Sequence, residues 1–391
     1  MLNKEVRVMK VVAADHSRFG VLCSVFIILC AASAPWTVAY AQGRITGERG
    51  NSEIELPLKP ASPGLIADAE DRPNTDQAKR IDDAITRGLA IVQKAAQNYP
   101  SHRQCFSCHH QTLPLLAMDE AQAAGFDLDD EVAEIIREHT LKSFSSRLNK
   151  LREGRRIGGR ANTVSYGLWT LALADHEPDK TSAAMVAYLL KTQGDDGRWV
   201  PPSNRPPLEE SEVAVTVLSA YYTSQFTAED QGEDVEKALA KSRAWLANAK
   251  LTSQEDYNFR LWGLMLLEDT EDPAIRKEIS QLRDAILAAQ RDDGGWSQLP
   301  NMESDAYATG QALFVLCESG VTSDGVFAQS AIDFLLKTQC EDGSWLVETR
   351  SKPVQVFFDN GDPHGKSQFI SIAATSWASA ALARVERQRR D

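Results

Sequence analysis

The 391-residue sequence has few cysteines, no excess of basic residues and no long apolar run beyond its N-terminal segment. Its formal net charge of −13 at pH 7 argues against a nucleic-acid partner, because proteins that bind nucleic acids present a basic face to the phosphates. A membrane-spanning helix requires roughly 20 apolar residues. We therefore expect a globular chain with no nucleic-acid partner and no transmembrane segment in its mature form.

The N-terminus has the three parts of a secretory signal. Basic residues such as Lys4 and Arg7 precede an apolar run over residues 21–34, and Ala39-Tyr40-Ala41 forms a small-residue cleavage site. The apolar run, of roughly 14 residues, is too short for a membrane anchor. We predict that residues 1–41 are a cleaved signal peptide and that the mature protein is periplasmic or secreted.

The next segment, residues 42–75, contains many glycines and prolines and has no sustained hydrophobic periodicity. Such a composition predicts a flexible linker. From Asp76 onward the pattern is that of one helix after another. We predict a single all-α domain over residues 76–391.

Three segments of this domain repeat one pattern, Q-x-x-x-G-x-W, at the end of an apolar stretch. They are Tyr188–Trp199, Ile286–Trp296 and Phe334–Trp345. An Asp-Gly pair after a helix favours a turn, and a tryptophan just beyond it can fold back on the helix as an anchor. Three occurrences in one chain indicate a repeat protein.

The pattern resembles the QW repeats of squalene–hopene and oxidosqualene cyclases, whose toroid architecture is shared with the β subunits of protein prenyltransferases. The resemblance implies an α6/α6 double-ring toroid of six helix pairs, in which each turn leads from an outer helix into an inner one. Periodicity supports this, because amphipathic and mostly apolar stretches alternate with a spacing of roughly 50 residues. The predicted outer helices begin near Gln77, Asp130, Thr181, Glu233, Pro273 and Gly325, and the predicted inner helices near Gln111, Asn162, Glu210, Gln254, Asp305 and Ser367.

The segment Cys105-Phe106-Ser107-Cys108-His109-His110 contains the pattern C-x-x-C-H. In an exported chain this pattern is typical of a covalent c-type haem, with the cysteines bonded to the porphyrin and the histidine bound to iron. We predict haem c as the cofactor, held by Cys105, Cys108 and His109. Two alternatives stay open: a zinc site made of Cys105, Cys108 and a histidine, and a disulfide between the two cysteines.

The ring topology suggests a second metal ligand. If all outer-to-inner turns share one mouth of the ring, the C-x-x-C-H segment lies at that mouth, in the first turn. Ring closure makes the sixth repeat its neighbour, and the long sixth turn, residues 343–366, contains His364. We predict that His364 lies near the C-x-x-C-H segment and is the second axial ligand of the iron. The alternative is a histidine on a surface loop.

The two remaining cysteines of the predicted domain, Cys317 and Cys340, end neighbouring antiparallel helices. Their positions are therefore about 20 Å apart for a four-turn helix. A disulfide needs Cα atoms within about 7 Å. We expect both to be free, buried thiols.

Squalene–hopene cyclases protonate their substrate with a D-x-D-D acid. Residues 127–130 match those letters, but they precede a predicted helix, where acidic residues stabilise the N-terminus; we predict a capping role. The resemblance places the family's acid nearer Asp305, which is our candidate catalytic residue. Further carboxylates at the starts of inner helices predict an acidic mouth: Glu209, Glu210, Glu212, Glu255 and Asp256.

These observations favour an exported toroid that carries a c-type haem at one mouth and serves electron transfer or another redox reaction with a redox partner. The first alternative is a terpenoid-cyclase-like or prenyltransferase-like enzyme that acts on an apolar small molecule in the central cavity. The second is a zinc-binding toroid without catalytic activity. Whether the chain is an enzyme stays open, since a fold alone does not decide function.

Overall fold

The computed structural model describes residues 75–202, 205–352 and 357–390. Within these ranges there is no β-strand, which confirms the predicted all-α class. None of the helices in these ranges combines the length and apolarity needed to cross a bilayer. The predicted signal peptide, residues 1–41, and the predicted linker, residues 42–75, lie outside the described residues except for Thr75, which begins the first helix.

Thirteen α-helices follow one another in these ranges. In chain order they are α1 (Thr75–His102), α2 (Leu113–Ala123), α3 (Asp130–Ser145), α4 (Leu148–Arg152), α5 (Arg160–Leu173), α6 (Lys180–Thr192), α7 (Glu212–Gln225), α8 (Gly232–Leu246), α9 (Gln254–Leu267), α10 (Pro273–Ala288), α11 (Ala306–Glu318), α12 (Val326–Thr338) and α13 (Gln368–Arg390). A π-helical turn, Cys108–Thr112, runs directly into α2, and short 3₁₀ turns cover Glu229–Gln231 and Gly365–Ser367.

Amphipathic helices alternate with helices that are buried on nearly every side. Helix α10 buries only Leu282 and Ile286, whereas every residue of α11 from Ala306 to Cys317 is buried. The same contrast separates the outer helices α1, α3, α6, α8, α10 and α12 from the inner helices α2, α5, α7, α9, α11 and α13. This is the alternation that periodicity predicts; the count of six pairs in the ring stays a prediction.

Local sequence signals account for where the helices begin. Helices α3, α9 and α10 start at Asp130, Gln254 and Pro273, the residues predicted for them. The carboxylate of Asp129 accepts a hydrogen bond from the backbone N–H of Glu131 at 2.9 Å and so caps α3. The capping role predicted for residues 127–130 is therefore confirmed.

The three Q-x-x-x-G-x-W turns share one set of hydrogen bonds. Each tryptophan folds back on the helix it follows, and its indole N–H donates to a carbonyl ten residues earlier. These bonds are Trp199 to Leu189 at 2.9 Å, Trp296 to Ile286 at 2.7 Å and Trp345 to Leu335 at 2.8 Å. Each turn therefore locks an outer helix to the start of the next inner helix.

The glutamine and the glycine of each turn face the next outer helix. In the last turn, Gln339 Nε2 donates to the carbonyls of Ala84 and Gly343, each at 2.9 Å. Gly343 has a φ of +94°, and a Cβ there would lie 2.8 Å from the Arg87 carbonyl. Since Ala84 and Arg87 belong to α1, the last repeat packs on the first and the helices close into a ring.

Aromatic side chains fill the middle of this ring. Trp169, Trp262 and Trp377 come from the alternate inner helices α5, α9 and α13, yet their ring centroids lie only 5.3 to 6.4 Å apart. Phe314 of α11 packs on Trp262 and Trp377. Side chains from well-separated helices meet at this distance only where they all point inward. We call these four residues the aromatic plug.

Candidate functional site

The C-x-x-C-H segment occupies the first outer-to-inner turn, between α1 and α2. Cys108 and His109 lie in the π-helical turn. Such turns are rare in proteins, and those that occur are often at functional sites. Cys105 is exposed and Cys108 is half-buried, and both are free thiols in the structure. Both thiols are therefore unpaired, and that of Cys105 is accessible to solvent.

The segment is held by two outer helices. His139 of α3 donates from Nε2 to the carbonyl of Cys105 at 3.1 Å. The backbone N–H of Phe106 donates to Ser143 Oγ, also on α3, at 2.9 Å. Tyr99 of α1 places its hydroxyl 3.6 Å from Cys105 Sγ. The backbone of the turn is thus fixed by the toroid itself and needs no separate domain.

A chain of polar contacts runs from this segment to the long loop before α13. His110 Nε2 lies 2.7 Å from Asp362 Oδ2, and His110 Nδ1 lies 2.6 Å from His109 Nδ1. Ser107 Oγ lies 2.9 Å from His109 Nδ1. Each imidazole is also stacked on an aromatic ring: Tyr99 against His110 with centroids 4.7 Å apart, and Phe369 against His109 at 4.9 Å. We call Asp362, His110 and His109 the relay.

The relay determines which nitrogen of each imidazole carries the proton. The Asp362 carboxylate accepts only, so His110 donates to it from Nε2. In a neutral His110, Nδ1 then bears the lone pair and accepts from His109 Nδ1–H. His109 is left with its lone pair on Nε2, to which the Ser107 hydroxyl can donate from 3.2 Å. A histidine that binds a metal through Nε2 needs this tautomer, with its other N–H donated to an oriented partner.

Burial keeps both imidazoles neutral. It lowers the pKa of His109, and the neighbouring His110 and Arg205 add to this effect. Burial also lowers the pKa of His110, although the hydrogen bond to Asp362 opposes the shift. Neutral imidazole is the form that binds metals. The Cys108 thiol has its pKa raised to about 12, chiefly by burial and further by Glu209.

The loop before α13 reaches the C-x-x-C-H segment, but not with the residue predicted from the sequence. Asp362 and Asn360 contact His110, at 2.7 Å and 3.3 Å. His364 instead places Nε2 2.7 Å from Ser344 Oγ and lies beside Cys340 and Asp342. Two residues of loop separate these environments. The axial-ligand role of His364 stays a prediction; its imidazole lies against the last turn, and its carbonyl accepts from the Ser367 N–H at 2.9 Å.

Cys317 and Cys340 are both free thiols in the structure. Cys317 is buried at the end of α11, and burial raises its pKa to about 12. Cys340 is only half-buried, because it lies in the turn after α12 rather than inside the helix. The expectation that both are buried is therefore wrong for Cys340.

A second group of titratable residues lines a pocket at the starts of α9 and α11. Glu255 is buried, and its carboxyl oxygens lie 3.3 and 3.4 Å from Tyr307 Oη. Burial and the nearby Asp256 raise the pKa of Glu255 to about 8. Gln254, Gln298 and Arg350 also line this pocket. Glu255 thus holds a proton at neutral pH.

Asp305, the candidate catalytic residue, caps α11. Its Oδ1 accepts from the backbone N–H of Ala308 at 2.9 Å and its Oδ2 accepts from Gln298 Nε2 at 3.0 Å. Burial nevertheless raises its pKa to about 6. Because the pKa of Glu255 is about 8 and that of Asp305 about 6, Glu255 is the better proton donor of the two at neutral pH.

The mouth is less acidic than the sequence predicts, because arginines pair with its carboxylates. Three of the five predicted acidic residues have such a partner: Glu209 with Arg205 at 3.0 Å, Glu210 with Arg350 at 3.1 Å and Glu212 with Arg198 at 2.6 Å. Asp256 bonds Ser211 Oγ at 2.6 Å. Glu255 is buried, and its pKa is raised to about 8.

Sequence reasoning missed Asp362 and the special role of Glu255. Asp362 lies two residues from His364, in the loop that topology places near the first turn. The proximity of the loop could be predicted, but not which of its residues contacts His110. Glu255 stands in the sequence among several carboxylates at helix starts. Only packing distinguishes it from the others.

No protein-family model matches this sequence, and a search of curated proteins finds no match. Among solved structures, a variant of the type II terpene cyclase MstE from Scytonema, in complex with its substrate geranylgeranyl dihydroxybenzoate, is similar with a TM-score of 0.50 at 12% identity, covering 80% of this chain and 99% of that one. An unsaturated glucuronyl hydrolase specific for heparin is similar with a TM-score of 0.51 at 12% identity, covering 78% and 97%.

A third similar structure is a possible member of the GH105 family from Salmonella enterica, with a TM-score of 0.50 at 16% identity, covering 82% of this chain and 97% of that one. The likeness spans nearly the whole length of each of the three proteins. At such identities it shows the fold alone. The α/α toroid architecture is confirmed.

Proposed function

We propose that the chain is a c-type haem protein, with the porphyrin bonded to Cys105 and Cys108 and the iron bound by His109. The observation that carries this proposal is the relay, because it puts the lone pair of a neutral His109 imidazole on Nε2, where the neighbouring side chain is the Ser107 hydroxyl at 3.2 Å. The proposed role is electron transfer or another redox reaction in an exported protein. The spacing C-x-x-C-H supports the choice of haem.

The residues around the segment suit such a group. Both thiols are free, and Cys105 is exposed to solvent. Phe369 and Tyr99 supply flat apolar surfaces beside the two histidines. Asn360 Oδ1 and Gln111 Nε2 are buried without a hydrogen-bond partner among the described residues. These two polar atoms are therefore open to a hydrogen bond with a group bound beside His110.

Haem supplies a one-electron couple at iron when it is bound. The chain's own residues do the rest. The relay orients His109 and raises its basicity by partial proton transfer toward Asp362. Helices α1 and α3 fix the backbone of Cys105 and Phe106, and Cys105 keeps one side of the site open to a redox partner.

A pyridine haemochrome spectrum tests this proposal. The protein is produced with its leader in a host competent in cytochrome c maturation. We expect one haem per chain that survives acid–acetone extraction, since thioether bonds are covalent. The Cys105→Ser, Cys108→Ser double variant should contain none. Cys317→Ser is the matched control, because it removes a thiol far from the motif and should keep the haem.

A colourless wild-type protein would reject the proposal. One zinc per chain lost in the Cys105→Ser, Cys108→Ser variant would instead establish the zinc alternative. If Ellman's reagent detects neither the Cys105 nor the Cys108 thiol until a reductant is added, the disulfide is established.

A second candidate function is an acid-catalysed reaction of an apolar small molecule at the Glu255 pocket. The observation that favours it is a buried carboxyl with a pKa of about 8 beside Tyr307, since a proton donor matched to neutral pH is what such chemistry uses. The similar cyclase MstE, whose complex contains a geranylgeranyl substrate, suggests a polyprenyl compound. The aromatic plug fills the middle of the ring, and the cavity beside Glu255 has a volume of about 10 Å³, so binding of a polyprenyl chain requires the mouth to widen.

The pH dependence of turnover tests this second function. Glu255 donates only when protonated, so kcat/KM for geranylgeranyl dihydroxybenzoate should fall as the pH rises through about 8. Glu255→Gln should lower it by roughly 10²–10⁴-fold, the usual contribution of a general acid. Asp305→Asn should have a smaller effect, since Asp305 caps α11. No turnover by the wild type would contradict this function.

A further inference from the structure

The last outer-to-inner turn brings together three side chains of ligand type. Cys340, Asp342 and His364 each place one ligand atom within 4.8 Å of the other two. Cys340 and His364 are half-buried and Asp342 is exposed, so the group is reachable from solvent. A thiolate, a carboxylate and an imidazole that meet at this distance are a ligand set for a transition metal.

The two sister turns are internal controls for this arrangement. All three turns have the same backbone hydrogen bond across the turn: Gly194 to Arg198 at 2.9 Å, Arg291 to Gly295 at 3.0 Å and Cys340 to Ser344 at 2.8 Å. Each also has an aspartate that accepts from the turn: Asp196, Asp293 and Asp342. The aspartate therefore has the same role in all three turns, two of which form without a cysteine or a histidine.

What distinguishes the last turn is a thiol where the sister turns have Gly194 and Arg291, and a histidine brought in from the following loop. His364 has a φ of +76°, a left-handed conformation that is uncommon for residues other than glycine. Among the described residues, Arg160 and Asp175 share such a conformation, but only His364 lies in a group of three ligand-type side chains. The loop thus adopts an unfavourable backbone conformation at the residue that completes the set.

The turn also holds the side chains in place. Ser344 Oγ lies 2.7 Å from His364 Nε2 and donates to Asp342 Oδ1 at 2.6 Å. A second bond to Asp342 Oδ1, from the Ser344 N–H at 2.9 Å, fixes this carboxylate and leaves Oδ2 available. Hydrogen bonds of this kind orient metal ligands.

We propose that Cys340, Asp342 and His364 form a zinc site, separate from the C-x-x-C-H segment, with its fourth position open to water or an exogenous ligand. Zinc accepts this mixed set in tetrahedral geometry, whereas calcium and magnesium take oxygen ligands alone. Binding would join the turn after α12 to the loop before α13, the loop that also carries Asp362.

Zinc and cobalt titrations of the chelator-treated mature protein test the proposal. We expect each chain to bind one zinc ion tightly and, with Co²⁺, to show a thiolate-to-metal charge-transfer band. Cys340→Ser should abolish the band, and Cys340→Ser and His364→Gln should each weaken zinc binding by about 100-fold or more, beyond the 10–100-fold typical for loss of an outer-shell partner. Unchanged circular dichroism shows that the variants fold.

Asp293→Asn is the matched control, because Asp293 has the same role in a sister turn without a cysteine or histidine beside it. It should leave zinc affinity unchanged, whereas Asp342→Asn should lower it. Wild-type protein that binds no zinc overturns the proposal. So does zinc binding that survives Cys340→Ser and His364→Gln and is lost only in Cys108→Ser.

Discussion

Replacing Trp262 with alanine should destabilise the protein by about 3–5 kcal/mol, the usual cost of deleting a large buried aromatic side chain. Trp262 lies against Trp169, Trp377 and Phe314, and its removal leaves a cavity that rings on other helices cannot fill without moving their backbones. Urea unfolding followed by circular dichroism measures the loss. Small apolar molecules such as benzene should then bind the cavity and restore part of the stability.

Trp245→Ala is the control for this prediction. Trp245 is a half-buried residue of the outer helix α8, where Arg198 lies over its ring at 5.9 Å. Its loss should cost clearly less, because solvent can occupy the vacated space. Equal losses in the two variants would mean that the plug is not the packed centre of the ring. The plug would then not keep substrates out of the middle of the ring.

Replacing Asp362 with asparagine in haem-loaded protein should raise the reduction potential. The Asp362 carboxylate pulls the His110 proton and thereby makes His109 a more electron-rich ligand, which favours ferric iron. Outer-shell partners of this kind change metal binding by about 10–100-fold. Where this weakening falls on the ferric form alone, the one-electron couple rises by about 60–120 mV, at 59 mV for each tenfold change. Spectroelectrochemical titration measures it.

Asp359→Asn is the matched control, since it removes an exposed carboxylate three residues away whose recorded contact is with the Gly361 N–H. Solvent screens this charge, and the potential should stay close to that of the wild type. A wild-type potential in Asp362→Asn would show that the relay does not act on the iron ligand, even if haem is present.

The parts of the fold that depend on neighbouring residues in the sequence could be predicted. The Asp-Gly turns, the cap at Asp129 and the helix starts at Gln254 and Pro273 are local, and the structure has them where the sequence indicates. The buried inner helices follow from their apolar composition. The recurrence of one turn indicates a repeat protein, and the toroid was implied by the resemblance of that turn to the QW repeats of the cyclases.

The site was harder, because it depends on contacts between distant residues. Topology placed the loop before α13 near the first turn, but two residues of loop decide whether Asp362 or His364 points at His110. Loop conformation is set by the packing of Asn360 and Phe369 around the histidines, which no local pattern encodes. The pKa of Glu255 likewise depends on burial, which its position at a helix start does not reveal.

Ring closure also sets an order of assembly. Asp362 is 252 residues from His110 along the chain, and Gln339 is 255 residues from Ala84. Contacts at such separations form late, because the entropy of joining distant segments must first be overcome. Before the ring closes, Cys105 and Cys108 lie in a turn that the loop before α13 has not yet reached. Docking of the last repeat then adds the carboxylate to His110, so the histidine pair acquires its final protonation only in a finished ring.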